Sequence, residues 1–130
     1  MTSLGPPPLQ RRLRGNISYP GGPVHPFYEL VLGPVPDGYR WEVESIFVDS
    51  QARVGDQKLV KIGYPGYEDE VDASDAQTWS ADYANPKPLA AGSQIVVDIV
   101  PGGAPLSTAT LLATVTVIVN EIWDQKRIGY

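Results

Sequence analysis

The residues that could do chemistry are few. The chain has one His and no Cys, which removes thiolate catalysis, Cys-based zinc sites and any disulfide framework. His25 lies between Val24 and Pro26. A Ser/His/Asp triad needs its imidazole held by a third group, so a structural or solvent-exposed His is expected there. Glu42 and Glu44 share one face of a strand, as a glycosidase pair does. Arg40 shares that face, and a charge-balanced wet strand is the simpler account. Glu68, Asp69, Glu70, Asp72 and Asp75 lack the alternating oxygens and turn Gly of a calcium loop. They read as a solvated acidic loop, with a partner-binding loop as the alternative. Asn16-Ile17-Ser18 matches the glycosylation sequon, a chance match without an export signal. Gly102 and Gly103 sit between two strands, where they serve a turn and not a phosphate cradle. Trp79 and Tyr83 are candidate surface aromatics for a sugar, although strand aromatics more often belong to a core or an interface. No catalytic residue, metal or cofactor is expected.

A chain of 130 residues fits one domain and can bury roughly two-thirds of the surface its unfolded form exposes. MTSLGPPPLQ has no apolar stretch of the kind a secretory signal needs. The longest apolar run, Leu111 to Val119, is too short for a membrane helix. A soluble protein made without export is expected. Residues 1–40 carry a net charge of +2 and residues 41–130 a net charge of −7. Nucleic-acid binding needs clustered Lys and Arg, so an acidic body argues against it.

The elements that would position these groups are strands. Thirteen Gly and thirteen Pro, spread along the chain, call for many turns. Residues 1–26, with Pro6 to Pro8, Arg11, Arg12, Arg14 and YPGGPVHP, read as an extended Pro/Gly-rich basic arm. The alternative is a disordered segment. Arg11, Arg12, Arg14 and Tyr19 are its candidate partner-binding residues, suited to an acidic protein surface such as a neighbouring copy.

The body, residues 27–130, is a single β-sandwich. FYELVL, YRWEVESIFVDS and KLVKIGY are strands. In the second, the charged face turns apolar at Ile46 and Val48, as though both faces were covered by the end. The strongest signal is the pair Gln94 to Val100 and Thr108 to Ile122, read as a hairpin joined by a Gly/Pro loop. The second strand points Ala113, Val115, Val117 and Val119 one way and Leu112, Thr114, Thr116 and Ile118 the other. The Thr-rich face is a candidate oligomer contact.

VPDGYRWEVESIFVDS, ADYANPKPLAAGSQIVVDIV and STATLLATVTVIVNEI together resemble small jelly-roll structural proteins of tailed bacteriophage particles. The shared look is a Pro-Asp-Gly turn feeding a Trp-containing strand, then Leu-x-x-Gly-x-x-Ile-x-Val, a Gly-rich loop and a long closing strand. The resemblance implies an all-β, jelly-roll-like β-sandwich and a capsid decoration (cement) protein. Such a protein is made in the host cytoplasm and bound as a homotrimer to the major capsid protein on the virion surface. It also implies no membrane partner and no nucleic-acid partner. The alternative is a tail or fibre carbohydrate-binding module.

Overall fold

The computed structural model describes residues 7–20, 27–50, 56–100 and 110–124. It is all-β, with two antiparallel four-stranded sheets and no helix among the described residues. The strands are β1 (Leu9–Pro20), β2 (Tyr28–Leu32), β3 (Tyr39–Ser50), β4 (Gln57–Gly63), β5 (Asp69–Ser74), β6 (Thr78–Leu89), β7 (Gln94–Val100) and β8 (Thr110–Trp123). The first sheet runs β1-β8-β3-β6 and the second β2-β7-β4-β5. Alternation fixes which side of each strand meets the core. Ala113, Val115, Val117 and Val119 of β8 are fully buried, as are Ile95, Val97 and Ile99 of β7. Together with Trp41, Val43, Ile46 and Val48 they form one core between the sheets.

Four expectations change. Residues 9–20 are not an arm: they pair along their whole length with β8 of their own body. The alternation of Leu13, Gly15 and Ile17 explains this, because each lies opposite an inward residue of β8. A Cβ on Gly15 would approach Leu30 of the facing sheet to 2.7 Å, so a side chain there would collide with Leu30. Residues 1–6 and 21–26, the rest of the expected arm and the place of His25, lie outside the described residues.

The second change concerns β7 and β8. They are not a hairpin, because β7 pairs with β2 and β4, whereas β8 pairs with β1 and β3. The nine residues between them give enough chain to cross the roughly 10 Å that separates packed sheets.

Third, residues 69–74 of the acidic segment form the edge strand β5, paired with β4, where a solvated loop is expected. Fourth, β3 does not end with both faces covered. A bulge between Val43 and Ser45 shifts its register, so Ile46 and Val48 take over the inward side from Trp41 and Val43 while Phe47 and Asp49 turn outward. An inserted residue does this because side chains alternate with a period of two.

Lys58 is fully buried on the inward side of β4. Its ammonium donates to the backbone carbonyl of Asp56 at 3.0 Å and to that of Ala76. Burial holds its pKa below the usual lysine range.

Candidate functional site

The two candidate sets read from the sequence meet on one surface, the outward face of the first sheet. In the β1–β8 register Arg12 lies opposite Ile118, Arg14 opposite Thr116 and Asn16 opposite Thr114. On the other flank of β8, Ser45, Phe47 and Asp49 lie opposite Ile118, Thr116 and Thr114. The β3–β6 register then extends those rows to Asp82, Ser80 and Thr78. Three rows therefore cross the sheet: Arg12-Ile118-Ser45-Asp82, Arg14-Thr116-Phe47-Ser80 and Asn16-Thr114-Asp49-Thr78. A shallow depression of about 420 Å³ lies here, bordered by Arg12 and Arg14 of β1, Thr114 and Thr116 of β8, and Phe47 and Asp49 of β3.

The electrostatics of this face are open. Neither Arg12 nor Arg14 has an ion-pair partner among the described residues, and neither do Asp49 and Asp82. Adjacent strands are about 4.8 Å apart, so β1 stands roughly 10 Å from β3 and roughly 14 Å from β6. Asp82, three strands from β1, is out of reach of Arg12 within one copy; Asp49, two strands away, is nearer but carries no ion pair among the described residues. Phe47 lies between the two charges and is 43% exposed.

Arg11, expected with Arg12 and Arg14, belongs elsewhere. Its guanidinium pairs with the Glu121 carboxylate at 3.0 Å, and the Trp41 indole N–H donates to the same oxygen at 2.9 Å. Tyr19 lies in the β1–β8 pairing opposite Leu111, and Leu112 stands on the outward side of β8 opposite Ser18.

The expected surface aromatics turn inward. Trp79 lies opposite buried Val48 and packs on the core, as does Tyr83. The Tyr83 hydroxyl donates to Asp72 at 3.1 Å. Burial raises its pKa, and the Asp72 charge and this hydrogen bond add to the shift. Lys87 sits 5.2 Å over its ring.

Two more of the carboxylates singled out in the sequence, Glu44 and Glu68, are tied to neighbours. Glu44 accepts from Gln10 at 3.0 Å and from Asn120 at 2.5 Å, which makes it a brace across β1, β8 and β3. Glu68 accepts from Gln94 at 2.8 Å, and this bond is the main reason its pKa lies below the usual range. Among the described residues no three His, Cys, Asp or Glu side chains converge as a metal site.

The outward face of the second sheet holds a cluster that sequence reasoning missed. Lys61 pairs with Asp98 at 2.8 Å, and Asp98 is only 2% exposed. Glu29 stands opposite Asp98 on β2. Burial and the neighbouring Asp98 raise the Glu29 pKa, whereas the bond to Asp98 raises that of Lys61. Asp98, the one charge in the apolar run of β7, was the available signal.

Phe47 and Asp49 were missed as members of the first face. The signal that could have placed them was the break in alternation at Glu44-Ser45, two consecutive polar residues in an otherwise regular strand. Compared with family models, with curated proteins and with solved structures, the chain matches none.

Proposed function

We propose that this chain is a structural protein of a tailed-phage virion, a capsid decoration protein that binds the outer shell as a homo-oligomer. The strand pairing carries the proposal. One long antiparallel ribbon with β4–β5 at its tip would pair β1 with β8, β2 with β7, β3 with β6 and β4 with β5, and all four pairs occur. Rolling that ribbon brings β8 beside β3 and β7 beside β4, the two remaining pairs. The product is a jelly roll: eight strands in two Greek keys, an architecture common to viral capsid and lectin domains. Between those two uses, inward-turned Trp79 and Tyr83 weigh against a lectin.

Clamping is the mechanism this surface suits. A flat face with unpaired Arg12, Arg14, Asp49 and Asp82 around an exposed Phe47 offers charge and apolar area to a protein partner and no enclosed cavity to a small substrate. The expected contact residues Leu112, Thr114, Thr116 and Ile118 lie on this face, so the basic strand and the Thr-rich strand act together. The arm mechanism is replaced. Truncating residues 1–23 would strip β1 from the sheet and uncover core residues, so it no longer isolates shell binding.

The test is purification of particles followed by quantitation of this chain against the main shell protein. A ratio near one supports a decoration protein. A handful of copies per particle gives it to a tail or vertex, and absence from washed particles sinks the reading.

A further inference from the structure

We propose that the outward face of the first sheet pairs with the same face of a second copy about a two-fold axis lying between the copies, along the strands, midway between β8 and β3. The charge pattern selects this arrangement. Rotation about an axis along the strands places β1 of each copy over β6 of the other, and β8 over β3. It also keeps the height of each residue along the strands, so every row meets its own row. Arg12 of one copy then lies over Asp82 of the other, and the Thr114 hydroxyl over the Asp49 carboxylate. Thr116 lies over Phe47, with Arg14 beside it. The other in-plane two-fold, across the strands, sets β1 over β1 and brings Arg12 and Arg14 against their own copies. Like charges in that position oppose association.

Within one copy Arg12 on β1 and Asp82 on β6 cannot reach each other, because β8 and β3 stand between them. Across a pair they can: packed sheets lie about 10 Å apart, and an Arg side chain spans most of that gap. Arg12 and Asp82 then each find an opposite charge, Asp49 finds a hydroxyl, and the exposed ring of Phe47 is covered.

The size is adequate. Four strands about 4.8 Å apart and ten residues rising about 3.3 Å each give a flat area on the order of 600 Å² per copy. Corrugation brings that close to the roughly 800 Å² per partner of a standard interface. An isologous contact closes at two copies, so the product is a dimer, in place of the trimer that the phage resemblance implies. The pairing stands apart from the virion reading, since it is measured without particles.

The experiment is sedimentation of the full chain over a concentration series at low salt, with charge-swapped variants. The wild type is expected to be a dimer that weakens as salt rises. R12E/R14E and D49R/D82R, each alone, should dimerise at least about a hundredfold more weakly. Mixed one to one, they should recover a heterodimer, because the reversed charges at positions 12 and 82 again meet as opposites. If R12E/R14E fails to fold, D82R alone must weaken the dimer and R12D must restore pairing with it in a mixture.

A wild type that stays monomeric to millimolar concentration overturns the pairing, and so does a trimer. A dimer indifferent to the swaps, or a mixture that stays monomeric, does the same. A monomer that binds particles through this face, and loses that binding in R12E/R14E, also overturns it and gives the face to a shell partner.

Discussion

The two sheets share a core but treat charge in opposite ways on their outward faces. On the second sheet, Lys61 closes on Asp98, Glu29 leans on the same carboxylate, and Gln94 holds Glu68. That face is electrostatically closed on itself. On the first sheet Arg12 and Arg14 stand on a strand that neighbours neither Asp49 nor Asp82, and none of the four has an ion-pair partner among the described residues. The difference is one of spacing: oppositely charged residues on adjacent strands satisfy each other, whereas those two or three strands apart remain available to another molecule. On the reading proposed above, the first face is the one left for a partner, whereas the second contributes to the stability of the fold.

The largest way to break this comparison is to open the closed face. Lys61→Met removes the ammonium paired with Asp98 and strands a carboxylate that is 2% exposed. Breaking one side of a buried pair costs about 3 kcal/mol, and a urea melt should show that loss. K61M/D98L should recover most of it, because an apolar pair of similar size replaces the charges. A Lys61→Met melt unchanged from wild type would mean that the face is not closed by this pair.

A smaller effect tests its titration. Glu29 has a raised pKa in the folded state, from burial and from Asp98, with Glu68 adding and Lys61 opposing. A carboxyl whose folded pKa exceeds its unfolded value binds more protons when folded, so its contribution is present below the unfolded pKa and is lost as pH rises through the folded one. This contribution to stability should therefore fall as pH rises out of the usual carboxylate range. Glu29→Gln should flatten that fall and leave the protein slightly more stable at neutral pH, by less than about 1 kcal/mol given solvent screening. Thermal melts of both proteins across pH 4 to 8 measure it, and parallel curves would remove Glu29 from the cluster.

On the open face the expectation reverses. R12E/R14E should shift the urea midpoint of the monomer by no more than the equivalent of about 0.5 kcal/mol, because neither Arg has an ion-pair partner among the described residues to lose. A large destabilisation would mean that these residues hold the sheet and do not address a partner.

Much of this was legible in the sequence, and the failures have particular causes. β7 and β3 were readable to the residue because alternation and bounding turns agree there. The split of β8 into a Val face and a Thr face was equally plain, since both patterns run through its whole length. β1 was hidden by its composition: Arg at positions 11, 12 and 14 masks the inward series Leu13, Gly15, Ile17, and Gly15 is small only because Leu30 comes so close. Strand partners were hidden for a different reason. Which sheet β7 and β8 join depends on long-range pairing, and the loop between them carries no signal for it. The candidate face was half legible: Arg12, Arg14, Thr114, Thr116 and Ile118 were named, but as two separate sites. Phe47 and Asp49 needed the bulge at Glu44-Ser45 to place them.

The finest test puts a charge at Thr116, where stability and association should part. Thr116 lies directly opposite Arg14 on one flank and Phe47 on the other. In a lone copy, Thr116→Glu gives Arg14 an opposite charge across the strands, worth roughly 0.2–1 kcal/mol, whereas Thr116→Lys sets a like charge there and costs a similar amount. The two urea midpoints should move in opposite directions from wild type. Association should weaken in both, because either charge must be desolvated beneath the Phe47 ring of the second copy. If association instead follows the sign of the charge, Arg14 governs the contact by long-range attraction and Phe47 is not covered. If it is unchanged in both, the centre of this face stays wet, and the partner touches only its charged margins.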